Sequence, residues 1–352
     1  MTAGVGLTLL ATAVGLAPAP TTPVDAGDAP CSDVVLERAR PMMATIVTVT
    51  ARGCPSELLD ERIREAFAEM DRLAALLSEW SSDSPVSLVN RNAGLGPVRV
   101  PAEVLDVLSL AAHVSSRTSG SFDVTWAALA DLWRFGGTRP PRLPPPEEVK
   151  RRRALVAFRD VVLDRPASTA FLRRPGMRLG LGGIAKGYIA EAGASLLVSR
   201  GVRDVLVAAS GDIAARGRNG DRPWVVAIRD PRHSSRVLGT VELHDESIST
   251  SGDYERFFVI GGRRYHHILD PRTGYPAAAS ESVTVIARHG ADADALATGL
   301  FVLGPERAAA ALGDDPDVAA VLVGRDGQVH LAGASRPFHL VDSSRASAAA
   351  AR

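Results

Sequence analysis

The spacing of apolar side chains predicts both strands and helices along this chain. Residues 46–50, IVTVT, alternate apolar and polar positions, which is typical of a strand with one buried face. Between Pro55 and about Ser78, apolar residues follow the i, i+4, i+7 spacing of an amphipathic helix. The apolar stripe of that helix consists of Leu59, Ile63, Phe67, Met70, Leu73 and Leu77.

The remaining periodic segments predict an alternation of strands and helices. Further helices are predicted at about 102–116, after a glycine-rich turn near 182, at 291–304 and near 306–312. Further strands are predicted at 161–164, 205–209, 224–230, 238–243 and 282–287, and those at 224–230 and 238–243 are expected to extend the sheet. We expect one α/β (α+β) domain over residues 30–340, with helices packed on an antiparallel-rich sheet, and a disordered tail at 341–352.

Residues 247–276 combine turn residues, charges and two adjacent histidines more densely than a core segment requires. Apolar alternation from Phe257, a Gly261-Gly262 turn and a second run to Leu269 predict a hairpin that extends the sheet. Because strand side chains alternate, His266 and His267 should lie on opposite faces, so that one can face a site. The alternative is an ordinary surface hairpin.

A second unusual stretch, GGIAKGY at 182–188, predicts a strand, a glycine-rich turn and a helix. Gly180, Gly182 and Gly183 allow close approach of the backbone, and the free N–H groups of a helix start attract phosphate. Lys186 falls in the first helical turn, where the helix dipole disfavours a cation unless a bound anion offsets it. The spacing matches neither a P-loop nor a dinucleotide fingerprint.

Asp294 and Thr298 are one helical turn apart, on one face of the predicted helix at 291–304. A carboxylate and a hydroxyl are hard oxygen ligands of the kind that Mg²⁺ accepts. Alternatively, Asp294 stabilises the start of the helix and the Thr298 hydroxyl bonds to the helix backbone.

One aromatic and one acidic residue in the loops are of interest, and only the aromatic one has two equally open interpretations. Trp80 lies in a polar loop, where it either covers a planar ligand or caps the core. Asp123 is expected to cap a following helix that carries Trp126 and Trp133 on one buried face.

Composition and charge narrow the possible partners. Lys plus Arg and Asp plus Glu both number 40, so no basic field favours nucleic-acid binding. The apolar run within residues 1–20 is too short to span a bilayer comfortably and is typical of a signal peptide. We therefore expect residues 1–29 to be a signal peptide and linker and the protein to be exported; the alternative is an uncleaved Ala/Pro tail.

The chain has 2 cysteines, Cys31 and Cys54, which flank two predicted strands. If Arg40 pairs with Thr45 in an antiparallel register, Cys31 lies opposite Cys54. In an exported protein such a pair could form a disulfide, which is a hypothesis here.

Several stretches, in this order, resemble the FAD:protein FMN transferase (ApbE) family. They cover most of residues 40–310. They are MAT at 43–45, SEW to SPVSLVN at 78–90, SGSFDVT to LWRFGG at 119–137, GGIAKGY at 182–188, SGDI at 210–213, STSGDYERFF at 249–258, HHILDPRTGYP at 266–276 and DADALATGLFVLG at 292–304.

The resemblance implies a tunnelling-type fold and Mg²⁺-dependent transfer of FMN from FAD to a threonine hydroxyl of an acceptor protein. The implied acceptor is a subunit of a redox membrane complex, reached from the periplasm at the outer face of the inner membrane. His267 would act in proton transfer. The implied Mg²⁺ ligands are the Gly183 carbonyl, Asp294 and Thr298. The implied flavin-nucleotide contacts are Met43, Trp80, Ser121, Phe122, Asp123, Lys186 and, through its backbone, Leu269.

The chain departs from the family pattern at two positions. Ala44 stands where the family motif has glycine, and Gly180 stands where an acidic residue is often found. A polar nucleotide contact is therefore expected to be missing. The same residues would also suit an FAD pyrophosphatase that releases FMN and AMP, or a non-catalytic flavin-binding protein.

Overall fold

The structure, a computed structural model, describes residues 34–53, 55–135 and 141–341. The predicted leader (1–29), Cys31 and Cys54 lie outside these ranges, so the signal peptide and the disulfide stay predictions. The predicted tail also lies outside them except for Val341, whose N–H donates to the Leu238 carbonyl at 3.0 Å. No helix within the described ranges is both long and apolar enough to cross a bilayer.

Helices and strands alternate along the described chain much as the periodic segments predict. The α-helices are α1 (Ser56–Leu77), α2 (Pro85–Arg91), α3 (Ala102–Arg117), α4 (Pro146–Arg153), α5 (Ala185–Ser199), α6 (Gly290–Leu303) and α7 (Pro305–Leu312). The strands are β1 (Val35–Met42), β2 (Thr45–Arg52), β3 (Val98–Arg99), β4 (Val161–Asp164), β5 (Thr169–Leu172), β6 (Asp204–Ala209), β7 (Asp212–Arg216), β8 (Trp224–Arg229), β9 (Val237–Leu243), β10 (Ser247–Gly252), β11 (Phe257–Ile260), β12 (Arg263–His266), β13 (Ser280–Ala287), β14 (Ala319–Gly324), β15 (Val329–Gly333) and β16 (Phe338–Leu340).

The central sheet has eight strands in the order β1-β2-β6-β7-β10-β13-β14-β15. Every neighbouring pair in it is antiparallel. The predicted fold class, an α/β protein with an antiparallel-rich sheet and packed helices, is therefore confirmed.

The two faces of this sheet are covered differently. In β13, Val283 and Val285 belong to the core that contains helices α1, α3, α5 and α6, whereas Ile286 belongs to a second core on the opposite face. That second core is closed by the three-stranded sheet β16-β9-β8, through side chains such as Trp224 and Val241. The side-chain alternation of one strand thus supplies two hydrophobic cores.

Two sheet assignments made from the sequence were wrong. The strands at 224–229 and 237–243 do not extend the central sheet but pack on its face. Likewise β11 and β12 pair only with each other among the described residues. The hairpin is attached instead through stacked aromatic rings, in which Trp133 contacts Tyr265 at a centroid distance of 6.1 Å and Phe258 contacts Tyr265 at 5.4 Å.

The segment after Asp123 also differs from expectation. Residues Ala127–Leu132 form a 3-10 helix rather than an amphipathic α-helix, and Asp123 does not cap it. One Asp123 carboxylate oxygen accepts hydrogen bonds from the Thr125 N–H (2.8 Å) and hydroxyl (2.6 Å), and the other accepts from the Phe158 N–H (2.9 Å). Trp133 is buried as expected, whereas Trp126 is only partly so.

The β1–β2 hairpin turns through two residues, Met43 and Ala44, whose φ angles are +51° and +58°. Positive φ at both central positions matches a type I′ turn, which normally uses Asn or Gly. Met42 therefore pairs with Thr45 and Arg40 with Val47. The assumed pairing of Arg40 with Thr45, from which the cysteine pairing followed, was wrong by two residues because it allowed for a longer turn.

Replacement of Ala44 by glycine should stabilise the protein. Glycine adopts positive φ without the Cβ clash, and we expect a net gain of about 0.5–1 kcal/mol after the greater entropy of the unfolded chain is included. Urea unfolding measures this change. Ala39→Gly is the matched control, because exposed Ala39 lies within β1, where glycine lowers stability. Equal effects of the two changes would contradict the turn assignment.

Candidate active site

The polar site is assembled where helices α5 and α6 cross with their backbones in contact. A Cβ added to Gly187 would overlap the carbonyl oxygen of Gly290, and one added to Gly290 would overlap that of Gly187. The Gly187 N–H donates to the Asp294 carboxylate at 3.2 Å. Glu191 of α5 accepts a hydrogen bond from the Gly290 N–H at 2.7 Å, which gives a partner to one of the unpaired backbone N–H groups at the start of α6. Lys186 and Asp294 are brought together by this crossing.

Lys186 forms an ion pair with Asp212, the first residue of β7. Asp212 is almost fully buried and also accepts a hydrogen bond from the Ser249 hydroxyl at 2.5 Å. Burial alone would lower the pKa of Lys186, but the carboxylates of Asp212 and Asp294 raise it above its ordinary value. The sequence suggested that a bound anion offsets the charge of Lys186. In the structure the carboxylate of Asp212 does so.

Asp212 is a site residue that the sequence analysis missed. It belongs to the SGDI stretch at 210–213, whose only sequence signal was an acidic residue between two strands. Its partner Lys186 lies on a helix 26 residues earlier, and spacing alone does not reveal such a contact.

The predicted metal ligands lie close together. A Cβ added to Gly183 would lie 2.9 Å from the Thr298 hydroxyl, so the backbone of the glycine-rich turn runs beside that side chain. The Ser251 hydroxyl is 3.2 Å from the Thr298 hydroxyl, and Asp294 is buried one turn earlier on α6. Within the described ranges no group of three or more His, Cys, Asp or Glu side chains is placed to hold a metal ion. A metal here would use one carboxylate, a hydroxyl and a carbonyl.

The charges at the helix crossing favour an added cation. Burial, and then the nearby Asp212 carboxylate, raise the pKa of Asp294, whereas Lys186 opposes this effect. Two buried carboxylates thus share one ammonium group. A divalent cation beside Asp294 would relieve their repulsion, and the oxygen ligands present suit Mg²⁺.

The adjacent histidines have different environments. His266 is buried, forms a hydrogen bond through Nε2 with the Ala277 carbonyl at 2.9 Å, and meets the Phe301 ring edge-on at 5.4 Å. His267 is less buried, and its backbone N–H donates to the Arg256 carbonyl at 3.0 Å. His266 is therefore a core residue, which leaves His267 as the candidate base.

The imidazole of His267 is held in its neutral form. Burial, and then the positive charges of His266, Arg256 and Lys186, lower its pKa to about 4. Its Nδ1 atom is buried and has no hydrogen-bond partner among the described residues. The Nδ1 atom of His266 is in the same state, so the support for His267 is its neutral imidazole, which has the protonation state that proton acceptance requires.

The loop that carries Trp80 lies against the glycine-rich turn. Trp80 is 79% exposed, so it does not cap the core. The preceding residue, Glu79, is half-buried, and its carboxylate accepts a hydrogen bond from the Leu181 N–H at 2.7 Å. The indole is therefore free to cover a ligand beside this turn. Glu79 is a second anchoring residue that the sequence analysis did not identify.

The other predicted flavin contacts are less accessible. Phe122 is buried beside Gly183, and the buried Ser121 hydroxyl has no partner within the part of the chain described here. Both oxygens of the Asp123 carboxylate already accept internal hydrogen bonds. The Leu269 side chain packs with Leu129 in the aromatic core, so only its backbone could contact a ligand.

Gly180 has no room for the acidic side chain that the family pattern suggests. A Cβ there would lie 2.9 Å from the Ala127 Cβ and 3.0 Å from the Trp126 ring. The Trp126 indole N–H donates to the Gly180 carbonyl at 3.0 Å. Trp126 therefore occupies this space and holds the backbone of the turn.

The fold and the site define an α/β protein with a charged polar centre at the crossing of two helices. The ApbE family model matches residues 43–322. An FAD:protein FMN transferase of Klebsiella pneumoniae (strain 342) is 34% identical over 272 residues, which cover 77% of this chain and 84% of that protein. One from Treponema pallidum (strain Nichols) is 35% identical over 291 residues, covering 78% and 80%.

Comparison with solved structures points to the same family. The ApbE protein of Thermotoga maritima matches with a TM-score of 0.75 at 31% identity, covering 85% of this chain and 97% of that one. The flavin transferase ApbE from Vibrio cholerae matches with a TM-score of 0.74 at 30% identity, covering 86% and 97%. The chain belongs to the ApbE family.

Acidification should destabilise the protein partly through His267. Its pKa is about 4 in the folded state against 6.5 for an unperturbed histidine. Between these pH values the unfolded chain binds a proton that folded His267 does not bind, so stability falls as the pH decreases. We expect His267→Gln to lose less stability than the wild type over this interval, measured by urea unfolding.

His339→Gln, a change at an exposed histidine, is the control for this experiment and should follow the wild type. A His267→Gln variant with the pH dependence of the wild type would contradict the burial of a neutral imidazole.

Proposed function

We propose that this protein transfers FMN from FAD, through the FMN phosphate, to a threonine hydroxyl of an acceptor protein and releases AMP. The observation that carries the proposal is that two groups meet at one helix crossing and a third lies close enough for the charge of Lys186 to lower its pKa. These are the Lys186–Asp212 pair, the Asp294–Thr298–Gly183 cluster and a neutral His267. The names of the curated relatives support the flavin chemistry.

The cluster at the crossing suits a phosphate-bearing substrate with a divalent cation. Asp294, Thr298 and the Gly183 carbonyl would hold Mg²⁺, which supplies charge neutralisation at the diphosphate when it is bound. Lys186 stands beside the glycine-rich turn, within the first turn of α5. The ammonium group would favour a phosphate oxygen, whereas the Gly187 N–H at this helix start already donates to Asp294.

His267 would accept the proton of the attacking hydroxyl. In the transfer, a bond forms between the threonine oxygen and the FMN phosphorus, the bond from that phosphorus to the bridging oxygen breaks, and AMP leaves with the bridging oxygen. The threonine proton passes to His267. The low pKa of His267 in the free protein leaves it unprotonated before the substrate arrives. A bound diphosphate would raise that pKa towards the operating pH.

The place of action and the kind of acceptor are inferred from the sequence. We propose that the protein acts after export, in the periplasm at the outer face of the inner membrane, on a subunit of a redox membrane complex. The support is the apolar pattern within residues 1–20 and the resemblance to the family.

Incubation with FAD, Mg²⁺ and a threonine-containing acceptor polypeptide tests this function. Flavinylated acceptor supports transfer, whereas free FMN without labelled acceptor indicates a pyrophosphatase and unchanged FAD indicates a binding protein. We expect His267→Ala to lower transfer by about 10²–10⁴-fold, as is typical when a general base is removed, while FAD still binds. His266 is not a suitable control, because its replacement would leave a cavity in the core.

The same assay tests the metal ligands. Asp294→Asn should lower transfer more than Thr298→Ser, since the first change removes a full charge and the second keeps the hydroxyl. EDTA should abolish activity and Mg²⁺ should restore it. Wild-type turnover of Asp294→Asn at limiting Mg²⁺ would exclude this site.

Gly182→Ala tests whether a ligand approaches the glycine-rich turn. A Cβ at Gly182 would meet no atom of the described residues within 4 Å, so the fold should tolerate it. If a phosphate approaches that backbone, the added methyl group should weaken FAD binding by about tenfold or more, in line with the 1–3 kcal/mol cost of overpacking. Calorimetric titration measures this effect. Gly96→Ala, where a Cβ also meets nothing within 4 Å, is the control, and equal FAD affinity of the two variants would contradict the approach.

A further inference from the structure

Arg256 lies in the loop between β10 and β11, and it is exposed with no carboxylate partner in the described part of the chain. Nearby arginines are paired. Arg229 lies 3.5 Å from Glu255, and Arg232 and Arg264 lie 2.6 Å and 3.0 Å from the buried carboxylate of Asp253. The exception is Arg263 of the same hairpin, whose guanidinium stacks over Tyr265 instead. The guanidinium of Arg256 is therefore available to an external anion.

The position of Arg256 links it to the candidate active site. Its carbonyl accepts the backbone N–H of His267 at 3.0 Å, so the two residues are fixed next to each other across the hairpin. Its loop begins after Gly252, one residue beyond Ser251, whose hydroxyl contacts that of Thr298. The guanidinium lies near enough to both Lys186 and His267 to lower the pKa of each.

The charge balance of the site favours a role for Arg256 in phosphate binding. Asp212 neutralises Lys186, and Asp294 would offset half of the charge of a divalent cation. Without Arg256 the site would hold one positive charge in excess, whereas FAD carries a negative charge on each of two phosphates. With Arg256 the charges of site and diphosphate match, and a guanidinium fork can bind two oxygens of one phosphate.

We propose that Arg256 is a further catalytic residue, which binds the FMN phosphate of FAD beside His267 and stabilises the charge on its oxygens during transfer. This inference rests on the proposed function. As the threonine oxygen bonds to phosphorus and the bond to the bridging oxygen breaks, Arg256 keeps its proton and contacts the non-bridging oxygens. His267 takes the threonine proton, and AMP leaves with the bridging oxygen.

Three variants test this role. Arg256→Gln should lower kcat for transfer by about 10²–10³-fold, which is at or below the effect of other transition-state arginines. Arg256→Lys should recover part of this loss, because it restores the charge but not the two-oxygen contact. Arg203→Gln is the matched control, since Arg203 is exposed, directly precedes β6 and has no carboxylate partner among the described residues. It should behave as the wild type.

Binding measurements separate this inference from the proposed function. With Mg²⁺ present, Arg256→Gln should bind FAD about tenfold or more weakly than Arg203→Gln, as expected for a lost charged hydrogen bond. Riboflavin, which lacks phosphate, should bind both variants equally. Equal FAD affinity and equal kcat of the two variants would overturn the role of Arg256. If the wild type binds FAD but labels no acceptor, the transfer function fails, while the affinity difference still tests Arg256.

Discussion

The contact between Gly187 and Gly290 is the constraint on which the polar site depends. Only glycine at both positions lets the backbones of α5 and α6 touch, because a Cβ on either residue would overlap the carbonyl oxygen of the other. This approach places the Gly187 N–H on the Asp294 carboxylate and brings Lys186 near the same group. If the helices lay at an ordinary packing distance of about 8–10 Å, these contacts would not form.

The buried charges at this crossing are a cost that the surrounding fold must offset. Asp212 and Asp294 are both nearly excluded from water, and they share one lysine. Buried ion pairs seldom stabilise a protein relative to apolar side chains of similar size, so their presence points to function rather than to folding. The two hydrophobic cores, one on each face of the central sheet, offset the free-energy cost of burying these charges.

Local patterns predicted much of this structure, and contacts between distant segments did not follow from them. The stripe from Leu59 to Leu77 correctly indicated α1, and the one-turn spacing of Asp294 and Thr298 placed both on α6. Asp212 could not be predicted as the partner of Lys186, because that contact depends on how α5 packs against β7. The Met43-Ala44 turn was missed since its residues are unusual for positive φ, and the space taken by Trp126 at Gly180 is visible only in three dimensions.

The position of the candidate base depends on aromatic packing rather than on the central sheet. Among the described residues, the strands of the His267 hairpin form hydrogen-bonded pairs only with each other. The position of this hairpin relative to the rest of the domain is fixed by two contacts of Trp133. Its ring stacks on Tyr265, and its indole N–H donates to the Gly274 carbonyl at 3.0 Å. The metal-site residues on α6 are instead fixed by the main core. His266, the neighbour of the base, also packs edge-on against Phe301 of α6. The geometry between His267 and Asp294 is therefore set jointly by the aromatic packing of the hairpin and by the main core, and a loss of aromatic stacking would disturb only the first of these.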